Sequence, residues 1–559
     1  MDLQRLQGRA LASPFRVALT GMVLAGFASG MALAGFASTA QARDADPAPL
    51  VVPKAKCGPN DHPETALQGQ VPAALRAAGF HGFNCNLDLI GQDKIDGANW
   101  QTAEFRDPKG DDQDDGRDRD GRGDRNRDDI VCAYHGTASP ARSLPTRNPA
   151  TYGVPVIDIT NPSKPVTTGF LQTTSMLDPW ESLKVNERRQ LLAADNGRNA
   201  AGGPFVDIYD LSNDCRSPQL LASVPVGTGT DGGPVAPILG HEGSWAPDGL
   251  TYYGGDIRTG GGQYYAVDVA DPTAPKLITT WQTGIASVHG MSISDDGTRG
   301  YFVSKTRSGT TGPSLTDPSQ PANNGLLITD LSEIQARVPN AHVKLISALL
   351  WKDGSFAQMT IPIRIEGKPY LVFVDEGGAG GLSSASQLEA ACSAGLSPFP
   401  MARIIDISDE QHPRVVSKLM LEVHDPANCS TVIPDLVGLS SFTYGSHYCS
   451  VDNKKKATTL ACGYFNSGIR VFDIRDPVHP REIAYYNPAG TTTSSPGSNH
   501  LTFGQWRAGG PDWCSAQVHL DADNGTLWTT CQDNGLLMLR FTNGVWPFPQ
   551  SKTPPGEQN

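Results

Sequence analysis

Six variants of one phrase recur along the chain: VPVIDITNPSKP from Val154, VDIYDLSNDCRSP from Val206, YAVDVADPTAP from Tyr265, LLITDLSE from Leu326, RIIDISDEQHP from Arg403 and RVFDIRDPVHP from Arg470. Each is an apolar, β-branched strand that ends in an aspartate, followed in the fuller copies by Asp or Asn, then Pro, then a second Pro. The aspartates Asp158, Asp210, Asp268, Asp330, Asp406 and Asp473 lie roughly 50 to 75 residues apart, the period of a β-propeller blade that carries insertions.

Before each phrase a short apolar strand runs into a Gly/Asn/Asp turn, as in LLAADNGR from Leu191 and LWTTCQDNG from Leu527. Asn196-Gly197 and Asn534-Gly535 are two-residue hairpin signals. After each phrase comes a half-polar strand, such as KLITTWQTG from Lys276, suited to an outer edge facing water. The chain therefore reads as all-β, with seven four-stranded blades near 98–178, 179–236, 237–286, 287–355, 356–440, 441–497 and 512–545. The seventh lacks an outer strand of its own, and an open edge exposes a row of backbone donors and acceptors. NCNLDLIGQ, from Asn84, is expected to supply that strand and close the ring.

The flanks read differently. Residues 1–42 resemble an export signal, with Arg5, Arg9 and Arg16 ahead of a Gly/Ala/Leu stretch from Val17 to Ala37 and then Ala40-Gln41-Ala42. The stretch is also long enough to span a bilayer, which leaves a retained anchor as the alternative. Residues 43–83 form a Pro-rich extension with one short helix expected around Pro72 to Gly79, 84–548 the propeller, and 549–559 a tail. Residues 107–129 hold mixed charge and no apolar side chain, so a disordered insertion is expected there.

All ten cysteines follow the signal, which fits an oxidising compartment: periplasm, cell surface or extracellular space. Cys449 and Cys462 are symmetric about the turn Asp452 to Thr459, and Cys514 and Cys531 about Asp521 to Gly525, so each pair is expected to bridge adjacent antiparallel strands. Cys392 with Cys429 is a further suggestion. No CxxC occurs, which removes zinc-ribbon and thioredoxin-like readings. A net charge of -13 and no basic face argue against nucleic acid and anionic lipid. With no membrane span after signal removal, the partners left are an envelope protein, a glycan or a small ligand.

Three blades begin with His-x-x-Ser in one register: HEGSWAPDG from His241, HGMSISDDG from His289 and HYCSVDN from His447. An innermost propeller strand starts at the face that also carries the loop between the second and third strands. His241, Glu242, His289 and His447 are thus expected to ring the channel mouth, beside Asp195, Asp256, Asp375, Glu376, Asn466 and Asp533. His519, two residues further into its strand, is expected to point into the channel below. Imidazoles converging from rigid positions suit a copper, iron or zinc centre built on His241, His289, His447 and His519, backed by Glu242, Asp256, Asp375 and Glu376. The competing reading is structural, with His and Ser bonding neighbouring blades and Asp or Asn making turns. The Asp-x-x-Asp-Pro-x-x-Pro phrase falls on the opposite face, where its aspartates accept backbone N–H groups. A Gly-x-Ser-x-Gly elbow, the second histidine of a zincin and a Gly-rich phosphate loop are all missing, which speaks against serine hydrolase, metalloprotease and nucleotide-binding functions.

The repeated phrase resembles the LVIVD repeat of bacterial exported proteins, with the copies at Asp158, Asp268 and Asp473 the best matches and the likeness running from about Asn84 to Phe548. That resemblance implies a β-propeller and little about activity. The blade-start histidines are also loosely similar, over scattered segments, to the selenium-binding protein and methanethiol oxidase family, which implies a metal-associated activity. The expected function is a binding or scaffold module working through its channel mouth. The alternatives are a metal-dependent oxidoreductase, with Glu242 in proton transfer, and a hydrolase acting on an extracellular polymer.

Overall fold

The computed structural model describes residues 51–548, apart from 96, 99, 108–129, 137–148, 196–205, 226–239, 257–261, 284–287, 306–314, 318, 380, 383–384, 440–441 and 491–509. The export signal, all but the first residue of the mixed-charge insertion, and the tail lie outside the described residues. Seven antiparallel sheets make up a β-propeller. In the first, Thr102–Arg106, Val131–His135, Val154–Asp158 and Val166–Leu171 follow one another from inside to outside, and the next five blades repeat that order. The inner strands of successive blades are Thr102–Arg106, Lys184–Asn186, Glu242–Trp245, Met291–Ile293, Ser355–Ile365, Cys449–Val451 and His519–Asp521.

The repeated phrase forms the third strand of its blade. Val154–Asp158, Val206–Asp210 and Ala402–Asp406 are buried at every residue but the last, because both faces of the sheet are covered by neighbouring blades. In the outer strand Val166–Leu171, Val166 and Thr168 are exposed while Thr167, Gly169 and Phe170 are half-buried, as one face meets water. A register shift between third and fourth strands recurs in every blade, for example between Ala266 and Val267.

Each phrase's aspartate closes the turn that follows by accepting a backbone N–H two residues on. Asp158 accepts from Thr160 at 3.0 Å, Asp210 from Ser212 at 2.8 Å, Asp268 from Ala270 at 2.9 Å, Asp330 from Ser332 at 2.9 Å, Asp406 from Ser408 at 2.9 Å and Asp473 from Arg475 at 3.1 Å. These are Asx turns, the structural role that the phrase suggests.

Ring closure uses NCNLDLIGQ in two parts. Leu87–Asp93 pairs with Gly535–Phe541 and is the outer strand of the seventh blade. Phe83–Cys85 instead adds a fifth strand to the sixth blade, against Arg481–Asn487. Asn86 makes the break between them with φ 58, a left-handed conformation that Asn tolerates, while its side-chain amide donates to the carbonyls of Lys56 and Ile483. The helix expected near residue 75 is Ala73–Ala78.

All ten cysteines are paired: Cys57–Cys85, Cys132–Cys215, Cys392–Cys429, Cys449–Cys462 and Cys514–Cys531. Cys449 and Cys462 face each other across adjacent strands, as their symmetry requires. Cys514 does not share a strand pair with Cys531. It precedes the inner strand His519–Asp521 and bridges Phe465 of the neighbouring blade, so that disulfide ties a loop to the blade. Among the described residues no helix is long and apolar enough to cross a membrane.

Candidate functional site

The residues just ahead of the inner strands meet one another. Trp180 and Glu181 precede Lys184–Asn186, His241 precedes Glu242–Trp245, His289 precedes Met291–Ile293 and His447 precedes Cys449–Val451, while Glu376 stands near the end of Lys368–Gly377. A backbone bridge between Glu181 and Glu242, with Glu181 N donating to His241 O at 3.1 Å, locks the second blade to the third. Gly290 allows the fourth blade to approach the fifth. A Cβ on it would lie 1.9 Å from the Gln358 carbonyl oxygen, so a side chain there would force His289 away.

The result is a cluster of three imidazoles and two carboxylates, all buried. His241 Nε2 lies 3.0 Å from His289 Nε2. Glu181 Oε2 lies 2.9 Å from His241 Nε2 and 3.3 Å from His289 Nε2, while its other oxygen, Oε1, lies 3.4 Å from His447 Nε2. Glu376 Oε2 is also 3.4 Å from His447 Nε2. The far nitrogens of two rings face backbone carbonyls: His289 Nδ1 donates to Ala357 O at 2.9 Å and His447 Nδ1 to Ser515 O at 2.9 Å. A carbonyl can only accept, so each neutral ring carries its proton on Nδ1 and turns an Nε2 lone pair inward. Glu181 Oε2, His447 Nε2 and His241 Nδ1 have no partner of hydrogen-bond geometry among the described residues, although Glu181 Oε2 and His447 Nε2 have close polar neighbours.

The electrostatics follow from that crowding. Burial works against ionisation of Glu181, but the imidazoles of His241, His289 and His447 outweigh it and hold the carboxyl well below its usual range. Burial pushes His241 down to about 3 against the pull of Glu181. Burial alone would lower His447 too, yet Glu181 and Glu376 on its Nε2 side raise it to about 9. Behind the cluster, burial lifts Glu242 to about 8, with Lys184 Nζ at 3.5 Å opposing; the Tyr448 hydroxyl donates to its other oxygen.

Aromatic rings wall this cluster. Trp100 lies 5.2 Å from His447 and 5.6 Å from Trp180, which in turn lies 5.7 Å from His241; Phe465 is 5.1 Å from His447. Trp180 and Phe465 have φ 50 and φ 43, left-handed backbone that costs a bulky residue about 1–3 kcal/mol and concentrates at functional sites.

Of the residues expected to form a centre, His241, His289 and His447 come together, and Glu376 touches them directly rather than from behind. His519 does not join. Its Nε2 is 2.9 Å from Thr102 Oγ1 and its ring stacks on Trp528 at 4.4 Å, so strand packing occupies both edge and face. Asp375 does not back the imidazoles either. It accepts from Asn324 Nδ2 at 2.8 Å and Trp351 Nε1 at 3.0 Å beside Arg403, a network that holds the fifth blade. Asp256 ends Thr251–Asp256, and its side chain lies outside the described residues. Glu181 is the residue that sequence reasoning missed. In strand register Glu181 stands where the next blade has His241, so a search for repeated histidines passes over it, whereas aligning the blade starts on their paired strands places a glutamate at the histidine's position.

The sequence profile of the LVIVD repeat matches residues 152–173. No curated protein matches the chain. Among solved structures, the chain is similar to a putative 6-phosphogluconolactonase from Bacteroides uniformis ATCC 8492 at 12% identity and TM-score 0.45, over 75% of this chain and 94% of that one. Hydrazine synthase from Kuenenia stuttgartiensis gives 12% identity and TM-score 0.44 over 81% and 97%. A protein from Lactobacillus plantarum gives 11% and 0.40 over 71% and 87%. These likenesses are too distant to bear on activity. The chain is a seven-bladed β-propeller that carries the LVIVD repeat.

Proposed function

We propose that this propeller is an exported metalloprotein that holds a first-row transition metal in the cluster of Glu181, His241, His289, His447 and Glu376, and that it works as an oxidoreductase. One observation carries the reading. The carboxylate oxygens and imidazole nitrogens of five residues crowd together with contacts of 2.9 to 3.4 Å around Glu181 and His447, and Glu181 Oε2 and His447 Nε2 meet their neighbours without hydrogen-bond geometry. Metal bonds of about 2.0–2.1 Å place neighbouring donors of one ion about 2.9 to 3.4 Å apart, so the separations are those of a shared ion's ligands.

Imidazole and carboxylate donors without cysteine suit iron, copper, manganese or zinc. The carbonyls of Ala357 and Ser515 are the outer partners that fix ligand tautomers in metal sites. The aromatic wall favours redox chemistry over a simple binding role, because it keeps bulk water from a reactive metal. Five disulfides support an oxidising location.

The test is elemental analysis of protein purified from an oxidising compartment without chelator, beside a Glu181→Gln variant. Near-stoichiometric iron, copper or manganese, lost in the variant and reversibly oxidised and reduced in the wild type, is the expected result. A folded wild type that carries no metal and takes none up sinks the reading and returns the protein to the class of binding scaffolds. Bound metal that resists reduction and oxidation removes the oxidoreductase half alone.

A further inference from the structure

Building on that metal-holding reading, we infer that the centre is binuclear: Glu181 bridges two ions, one held by His241 and His289 and the other by His447 and Glu376. The donors separate into two sets that share only Glu181, and in each set the ligand atoms lie within 4.8 Å of one another. Glu181 offers a different oxygen to each set. Oε2 faces His241 Nε2 at 2.9 Å and His289 Nε2 at 3.3 Å, whereas Oε1 faces His447 Nε2 at 3.4 Å. Glu376 Oε2 completes the second set at 3.4 Å from the same His447 nitrogen.

One ion does not reach both sets. Donors on opposite sides of a single ion are at most about 4.2 Å apart, twice the bond length. Among the described residues, no group of donors within 4.8 Å joins His447 to His241 and His289. A carboxylate that divides its oxygens spans the roughly 3.5–4 Å of a two-metal site.

The tautomer locks give independent support. Each set contains one imidazole whose Nδ1 is tied to a carbonyl, His289 to Ala357 in the first and His447 to Ser515 in the second, so each has its own preset nitrogen ligand. The second set is also held by different blades. His447 belongs to the sixth and Glu376 to the fifth, while the first set is built by the second, third and fourth.

The test is loading of chelator-stripped full-length protein with Mn(II), Fe(II) under argon, or Zn(II), followed by desalting and metal counting. Wild type is expected to retain two ions per chain, Glu376→Gln one, and Glu181→Gln none. With Mn(II), the wild type should give an exchange-coupled electron paramagnetic resonance spectrum and Glu376→Gln an uncoupled one. Far-UV circular dichroism of the stripped variants separates lost ligands from lost fold, and His447→Ala, expected to keep one ion, repeats the comparison if Glu376→Gln misfolds. Wild type that saturates at one ion with every metal overturns the binuclear centre and leaves the metalloprotein reading standing. Wild type that retains none overturns both.

Discussion

Two buried groups of ionisable residues in this propeller are built on opposite principles. In the first, Arg470 lies between two carboxylates: its Nη1 donates to Glu482 Oε1 at 3.0 Å, its Nη2 donates to Glu64, and its Nε donates to Ser467 O at 2.9 Å. Glu482 Oε2 in turn accepts from Gln68 Nε2 at 2.9 Å. Donors point at acceptors, and the network fastens the N-terminal extension to the sixth blade. In the second, two carboxylates and three imidazoles crowd together, and Glu181 Oε2, His447 Nε2 and His241 Nδ1 lack hydrogen-bond geometry. A folded protein satisfies the polar groups it buries for stability alone. In the first arrangement every carboxylate oxygen meets a donor, while the second leaves polar atoms without one, which is why a cation is proposed there.

Breaking the complete network should have the largest effect. Arg470→Ala strands Glu64 and Glu482 in a fully buried site, and removal of one partner from such a group costs about 3–5 kcal/mol. Urea denaturation of the variant should report a loss of that order. A loss under about 1 kcal/mol would mean that the extension detaches easily and that Arg470 does not anchor it.

A single histidine sharpens the contrast next. His424 is buried like His447, but both of its nitrogens are used by backbone: Leu421 N donates to Nδ1 at 3.1 Å, and Nε2 donates to Tyr444 O at 2.7 Å. Burial lowers it from 6.5 to about 4, against the help of the Tyr444 carbonyl. As pH falls from about 6.5 to 4 the unfolded chain binds a proton that the folded chain refuses, so stability drops by roughly 1.4 kcal/mol per pH unit, about 3 kcal/mol in total. His424→Gln should flatten the stability profile over that window by this amount. Parallel profiles for variant and wild type would show that His424 takes up its proton without unfolding.

The two regions also differ in what the amino-acid sequence reveals. The fold is legible because the third strand and its Asx turn are local, so the same twelve or so residues can be read six times over. Cys449 and Cys462 are legible because a hairpin brings them together across 13 residues. Cys132–Cys215, 83 positions apart on the first and second blades, depends on blades packing side by side, and Glu64–Arg470, 406 apart, on the N-terminal extension reaching the sixth blade; no local pattern marks either. The candidate site falls between these cases. Blade-start histidines point to three members, but also to His519, which a stacked tryptophan claims, and a search for histidine passes over Glu181, which fills the histidine's place in its own blade.

Metal should move stability in one region only. If the Glu181 cluster binds an ion, adding it at about a hundred times its dissociation constant stabilises the fold by between about 2 and 3 kcal/mol. Thermal unfolding with and without Mn(II) should show that increment in wild type and in His424→Gln, and none in Glu181→Gln. An equal increment in Glu181→Gln would place the ion elsewhere in the chain.

The smallest effect belongs to the opposite face. Asp268 accepts from Ala270 N at 2.9 Å and from Arg337 Nη2 at 3.1 Å, and both partners of that ion pair are about a third exposed. Although partial burial works the other way, Arg337 and the Ala270 amide together hold its carboxyl below the usual range. Its charge thus stabilises the fold above the unfolded carboxyl's range and ceases to do so as pH falls through the folded value. Asp268→Asn keeps an oxygen for the Ala270 amide and loses only the attraction to Arg337, which at this exposure is worth less than about 1 kcal/mol and shrinks further in salt. A small, salt-sensitive loss in urea denaturation, with unchanged metal content, is therefore expected. A loss of several kcal/mol, or any fall in bound metal, would mean that the repeated aspartate serves the centre and not its own turn. The six matching Asx turns argue against this, because a residue used identically in six blades is doing what every blade needs, whereas Glu181, Glu376 and the three histidines combine differently in each blade that supplies them.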